Sequence, residues 1–192
     1  MNKIFIGMLL IFLGFDINIG NSTIGVIPTF IGYIFMLKGV VEISELSDKF
    51  SKIIPCVKIM ISLSIITYIL DLLGLNYQIQ LPVELHLLGI ALLLIGLFLA
   101  ATVFTLYISY NIIMGIKDIE EARGKNLYSS RLYSIWKIRI ILLLWSFGMV
   151  LASFISPLTI VFGGMFAVAI FFLEIYNLYV FNKSRLAFYT EN

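Results

Sequence analysis

The stretch GFDINIGNST, residues 14–23, places one acid, two asparagines and two hydroxyls inside an apolar run from Ile4 to Val41. Its reading decides the fold, because a polar break between two apolar arms is either the turn of a hairpin or a polar site within one. Glycine recurs every seven residues along both arms, at Gly7 and Gly14, then at Gly25, Gly32 and Gly39. A hairpin folded between Ile19 and Gly20 sets Gly14 against Gly25, Gly7 against Gly32, Asp16 against Thr23 and Asn18 against Asn21. Glycines at that period line one seam of a left-handed helix pair and allow close backbone approach. Asp16 can then accept hydrogen bonds from Ser22, Thr23 or the free N–H groups opening the second helix, which makes the stretch a capped turn. The other reading is an outward-facing polar site for a cation or polar solute. Pro28, taken as lying inside the second helix, favours that reading by freeing a carbonyl.

Working outward, the chain of 192 residues is 61% hydrophobic and only 12% charged, with a mean hydropathy of +1.06. Soluble domains carry roughly 25% charged residues, so an ordinary soluble globule is excluded. Six apolar segments stand out, at 4–19, 23–41, 54–75, 85–112, 136–155 and 158–181. A hydrocarbon core of ~30 Å takes about 20 helical residues, and no alternating barrel pattern competes. The expected fold is all-α: one integral membrane domain over 1–192, a bundle of six transmembrane helices. Lys3 before IFIGMLLIFL imitates a signal peptide, but GFDINIGNS offers no small-x-small cleavage site, so a retained first helix is expected. A single cysteine, Cys56, allows no intramolecular disulfide and no multi-cysteine metal motif.

The basic residues give an orientation. Lys3 precedes the first segment; Lys38, Lys49, Lys52 and Lys58 lie around the second connection. Lys117, Arg123, Lys125, Arg131, Lys137 and Arg139 lie around the fourth, and Lys183 and Arg185 follow the sixth segment, which accounts for all 13 basic residues. The remaining connections carry only Asp16, Asp71, Glu84 and His86. This bias places both termini and the loop 117–134 in the cytoplasm, with Trp136, Tyr107, Tyr110, Tyr176 and Tyr179 forming an interfacial belt. The run EISELSDKFSKIIP keeps Ile43, Leu46, Phe50 and Ile53 on one helical face, opposite Glu42, Glu45, Asp48, Lys49 and Lys52. It is expected to form an interfacial amphipathic helix between helices 2 and 3, stopped before Pro55. Small residues recur at Gly89 and Gly96, at Gly148, Ala152 and Ser156, and at Gly163 and Ala167, suited to packing within the chain or against a second chain.

Glu174 is the one acid well inside an apolar segment, roughly 12 Å from its cytoplasmic end. Arg139 lies 17 residues before Ser156 and Glu174 lies 18 after it, so a turn at Ser156-Pro157 brings the two to one depth. Glu174 is expected to form an ion pair there; the alternatives are a proton- or cation-handling carboxylate or an acid kept neutral. Asp16, Asn18 and Asp71 complete the set of polar candidates. Asp71, Glu84 and His86 lack a helical ligand spacing, so no metal is expected. No catalytic or nucleotide-binding motif and no cofactor signature is present, and neither an enzyme nor a nucleic-acid partner is expected.

The residues Asp16, Ile17, Asn18 and Gly20, followed by Pro28, Phe30, Ile31, Gly32, Tyr33 and Ile34, spell DIN-x-G and P-x-FIGYI. This hairpin resembles that of a group of small multi-pass bacterial membrane proteins with no assigned activity; the resemblance covers about a fifth of the chain and implies a bacterial cytoplasmic membrane. Relatives in that group carry an acid where this chain has Thr29. Six helices with both ends inside are also similar to the substrate-binding components of energy-coupling factor vitamin transporters. Those proteins carry an alanine-rich small-xxx-small row in helix 1, which IFIGMLLIFLG lacks. Two functions follow as expectations: a non-catalytic accessory protein that binds a membrane-protein partner or a second copy of itself, or a transporter component for a small solute or ion.

Overall fold

The computed structural model describes residues 1–14, 16–19, 22–25, 27–72, 85–153 and 158–190; at 16–19, 22–25, 71, 85–95, 98, 150–153 and 158–163 it describes the backbone alone. In chain order these form α1 (Asn2–Phe12), β1 (Asp16–Ile19), β2 (Ser22–Gly25), α2 (Thr29–Ile43), α3 (Asp48–Leu72), α4 (Leu85–Arg123), α5 (Ser129–Ser153) and α6 (Leu158–Tyr189). Apart from the short two-stranded hairpin, every element is helical. The chain divides into two compact units, Met1–Asn111 and Ile112–Asn192.

In the first unit, α1 stops at Phe12 and α2 starts at Thr29, so the helices expected over 4–19 and 23–41 are shorter than the apolar runs that contain them. The missing turns are the strands. β1 and β2 pair antiparallel with Asp16 against Gly25, Asn18 against Thr23 and Ile19 against Ser22. That register corrects the expected one: Asp16 does not oppose Thr23, and Gly25 pairs with Asp16 rather than facing Gly14. The physical reason is local. Asp, Asn and Ser draw backbone hydrogen bonds away from a helix, while Ile17, Ile19, Thr23 and Ile24 are β-branched. Gly20-Asn21, which lie outside the described residues, form the kind of dipeptide that joins two-residue hairpins. Pro28 is the N-cap of α2, not an interior residue, so it interrupts no helical hydrogen bond there.

Of the expected glycine seam, Gly7 against Gly32 forms, with Gly39 beside it, while Gly14 and Gly25 do not meet. A Cβ on Gly7 would sit 2.6 Å from Gly32 O and 2.7 Å from Met36 N; one on Gly39 would sit 2.6 Å from Ile4 N. Only hydrogen fits at these positions, and the close approach lets α1 and α2 pack along their length. Ile11 closes the seam from the other side, its Cγ1 2.6 Å from where a Cβ on Gly32 would lie. Gly14 stands apart: its nearest described neighbours are Ile11 O at 3.6 Å and Thr29 Oγ1 at 3.9 Å, an ordinary contact. Beneath the seam, Met1, Ile4, Met36, Val40, Ile43, Phe50, Ile53, Val57 and Met60 are buried together as the core of this unit. At its rim, Lys3 Nζ lies 2.8 Å from Glu42 Oε2, both half-exposed. The hydrogen bond and charge of Lys3 hold the Glu42 carboxyl below its usual value. Its small contribution is therefore present at neutral pH and fades as pH falls through that lowered value.

The amphipathic run 42–54 is not a separate helix. Glu42 and Ile43 end α2, a 3-10 turn covers Ser44–Leu46, and α3 begins at Asp48 and runs on through Pro55. Ser47 causes the break: its Oγ accepts the Lys49 N–H at 3.2 Å, the bond of an N-cap, and Asp48 adds an acid to the first turn. Ile43, Phe50 and Ile53 are buried as their spacing suggests, whereas Leu46 is exposed. Pro55 leaves the Ser51 carbonyl without a helical donor; Ser51 is exposed, so water can serve it. Asp71 is the penultimate residue of α3, its side chain outside the described residues, as are residues 73–75 and Glu84.

In the second unit the loop expected over 117–134 is largely helix. Lys117 to Ala122 are mostly good helix formers and carry a Lys117–Glu121 pair at 3.5 Å, so α4 continues eleven residues past Ile112, to Arg123. Gly124, at φ +64°, ends it in the left-handed conformation that only glycine adopts freely. Tyr128 also has φ 60°. Its N–H bonds Asn126 Oδ1 at 2.9 Å, and the next N–H, at the head of α5, bonds Glu120 Oε2 at 3.0 Å. Helix α5 thus starts seven residues before Trp136, and α6 runs eight past Phe181. The helix starts at Leu85 and Leu158 agree with expectation.

Four helices hold stretches long and apolar enough to cross a membrane, Asp48–Leu70, Leu99–Arg123, Ser129–Met149 and Gly164–Tyr189. Their outward faces are apolar: Ile66, Val103, Leu144, Trp145, Met165 and Phe172 are all more than half exposed. Water does not tolerate so much contiguous apolar surface; lipid does. Helices α1 and α2, at about 16 and 22 Å, fall short of a ~30 Å core by themselves.

Because Gly7, Gly32 and Gly39 meet backbone atoms, alanine at any of them should lower stability by about 1–3 kcal/mol. Gly14→Ala should leave it unchanged, a contrast with the uniform seam that spacing alone implies. Thermal unfolding in detergent checks this; equal tolerance at Gly7 and Gly14 would mean that the close approach is not limiting.

Candidate functional site

Helices α5 and α6 pack antiparallel, and two contacts fix their register. Trp145 stacks on Phe166 with ring centroids 6.1 Å apart. One to two turns toward the start of α5, Arg139 Nε lies 2.9 Å from Glu174 Oε1. Further on, Lys183 comes within electrostatic reach of Arg131 and of the Tyr128 hydroxyl. Arg139 and Glu174 therefore meet at one depth, as their distances from Ser156 imply, although Ser156 and Pro157 lie outside the described residues.

The Arg139 and Glu174 side chains are 22% and 20% exposed. A lone carboxylate in hydrocarbon costs a few kcal/mol or more, and so does a lone guanidinium; brought together, each removes most of the other's penalty. The same contact limits the chemistry open to Glu174. Glu174 Oε1 is engaged by Arg139 within the helix pair. Asp16, Asn18 and Asp71, the other polar candidates, belong to the first unit, and their side chains lie outside the described residues. Among the described residues no group of three His, Cys, Asp or Glu side chains could hold a metal ion. Cys56 is a free, half-buried thiol on α3.

At the basic end of the second unit, two further arrangements come together that the sequence reading treated only as a belt. Tyr133 stacks on Trp136 at 5.8 Å, and Lys137 Nζ lies 4.5 Å from the Tyr133 ring centre. On α6, Tyr176 stacks on Tyr179 at 6.4 Å, and Lys183 Nζ lies 4.9 Å from the Tyr179 ring centre. The signal was present in the spacing, since each pair of rings is three residues apart and a lysine follows four residues after one ring. Beneath them Ile116, Ile119, Leu127, Leu132, Val180 and Phe181 are fully or nearly fully buried. Lys125 Nζ donates to Thr190 O at 2.7 Å, and Arg123 lies 4.4 Å from the Phe188 ring centre. This end of the unit is a packed, polar-rimmed junction.

Family models, curated proteins and solved structures offer no match to this chain.

If the ion pair locks α5 to α6, Glu174→Gln and Arg139→Gln should each cost roughly 2–4 kcal/mol of stability in detergent, by stranding the partner's charge. Exchanging the two residues should recover part of the loss. Unchanged melting temperatures in both single variants would remove the pair from any structural role and reopen Glu174 as a proton carrier.

Proposed function

We propose that the chain is a six-pass protein of a bacterial cytoplasmic membrane, with both termini in the cytoplasm, acting without catalysis by binding a membrane partner. The partner is another membrane protein or a second copy of the chain. Four of the six passes are the long apolar helices. The other two are the arms of the first hairpin. Each arm joins a short helix to a strand, α1 to β1 and β2 to α2, and a four-residue strand adds about 13 Å. The hairpin resemblance to small bacterial multi-pass proteins and the one-sided placement of Lys and Arg support this setting.

The observation that carries the partner-binding reading is the pair Gly148 and Gly164. By the α5–α6 register they stand at one level, both are exposed, and a Cβ on either would meet no described atom within 4 Å. Gly7, Gly32 and Gly39 are consumed inside the chain; these two are not. A glycine weakens a helix by about 1 kcal/mol relative to alanine, and in lipid the usual return is close approach by another helix. The runner-up, a transporter component that binds a small solute or ion, would need Glu174 or another acid at liberty. The Arg139–Glu174 contact favours the first reading.

Two experiments test these statements. With Cys56 replaced, single cysteines at Asn21, Gln78 and Ser156 should react with an impermeant thiol reagent on intact cells, and those at Glu45, Ser130 and Thr190 only after lysis. Ser47 and Ser129 make poor reporters because both are buried. The opposite pattern would invert the orientation. For association, a photo-reactive side chain at Phe147 or Met165, exposed beside the two glycines, should give a discrete protein adduct in native membranes. Bulk at the glycines, as in Gly148→Leu, should abolish that adduct and leave the melting temperature unchanged. Lipid adducts alone, together with solute uptake into proteoliposomes, would transfer the protein to the transporter class.

A further inference from the structure

The two helices of the α5–α6 pair carry five basic residues, Arg131, Lys137, Arg139, Lys183 and Arg185, against a single described acid, Glu174, which Arg139 already holds. The register set by the Arg139–Glu174 and Trp145–Phe166 contacts brings Arg131 and Lys183 to about one level, where the charge of Arg131 bears on Lys183. Two like charges side by side repel, and among the described residues neither has a carboxylate within ion-pair distance. Lys183 rests against the Tyr179 ring instead, at 4.9 Å. Such a pair lacks an anion.

What lies next to the pair along each helix says which anion. From Lys183, the positions four, seven and eleven residues back along α6 are Tyr179, Tyr176 and Phe172, exposed by 54%, 46% and 63%. From Arg131, Ile138, Ile141 and Trp145 continue the exposed face of α5 in the same direction. Both basic residues therefore head apolar stripes that face outward, and the ring against Lys183 is a tyrosine, the residue type of a membrane interface. A soluble anion would have no use for those stripes. An anionic phospholipid fits both parts, with its phosphate at the cations and its chains along the stripes.

We propose that Arg131 and Lys183 clamp the headgroup phosphate of an anionic phospholipid, framed by Tyr128 and Tyr179, with its acyl chains lying on the exposed faces of α5 and α6. The proposal rests on the membrane setting argued above and is independent of any protein partner. A zwitterionic lipid offers the same phosphate but brings a quaternary ammonium toward two cations, so the clamp discriminates by net charge. Lys137, over Tyr133 on the same helix, adds to the field without forming part of the clamp.

The test uses the full chain in nanodiscs of phosphatidylcholine with phosphatidylglycerol added, released into native mass spectrometry to count retained lipids. Wild type should retain phosphatidylglycerol in preference to phosphatidylcholine. Arg131→Gln and Lys183→Gln should each reduce that preference about fivefold, and the double variant more steeply. Lys117→Gln, which removes an exposed charge paired with Glu121, should not change it. Inorganic phosphate at millimolar concentration should fail to displace the lipid. Melting temperatures in pure phosphatidylcholine serve as the folding control, and if the double variant does not fold, the two single variants decide. Equal retention in wild type and both single variants, an equal loss in Lys117→Gln, or displacement by inorganic phosphate would each overturn the clamp.

Discussion

In hydrocarbon, a helix gains nothing by hiding leucine from its surroundings, because the lipid is as apolar as the neighbour. What holds two helices together there is close backbone approach or a polar contact that lipid cannot replace. Each unit of this protein has one such device. In the first, Gly7, Gly32 and Gly39 leave no room for a Cβ between α1 and α2. In the second, Arg139 and Glu174 meet at 2.9 Å between α5 and α6. Many large apolar side chains, Leu144, Phe171 and Phe172 among them, are exposed rather than packed into the core.

The same solvent dictates where helices end. Four N–H groups at the start of each helix and four C=O groups at its end need partners, and lipid provides none. Several described ends carry local solutions: Ser47 caps α3, Gly124 turns the chain out of α4, and Glu120 with Asn126 serves the start of α5. Helices α4 and α6 run well past their apolar segments. Once the backbone reaches water, helix propensity takes over from hydropathy, and Lys117 to Arg123 are good helix formers. The boundary of a helix and the boundary of its apolar stretch are set by different forces and need not coincide.

That distinction separates what was legible in the sequence from what was not. Hydropathy marks solvent, so the apolar segments and four long membrane-competent helices were readable, while helix ends set by capping were displaced by up to eleven residues at Arg123. Periodicity marks faces, so Gly7 against Gly32, and Phe50 with Ile53 in a core, were readable. The break at Ser47 was not, because one hydroxyl decides it against a continuous amphipathic pattern. The β-hairpin was missed for a related reason. A long apolar run argues for helix, and only the local chemistry of INI-GN-STI argues for strands. Arg139 and Glu174 could be matched because a length count survives small errors in the turn. Arg131 and Lys183 follow from the same count, but nothing in the sequence marks them as a pair until the helices are known to continue that far.

Depth gives the two basic positions on α5 their different company. Arg139 lies eight residues beyond Arg131, about 12 Å along the axis. At the deeper level a guanidinium cannot keep its water, and the chain supplies Glu174 opposite it. At the shallower level a side chain can reach the interface, where headgroups and water screen the charge, and among the described residues no carboxylate pairs with Arg131. An acid opposite Arg131 would neutralise the one level at which the pair can meet lipid phosphate. An acid missing opposite Arg139 would leave a charge in hydrocarbon. One helix pair thus uses the same residue type in two ways: at the deeper level as half of a lock within the chain, at the shallower level as a group facing outward to the membrane surface.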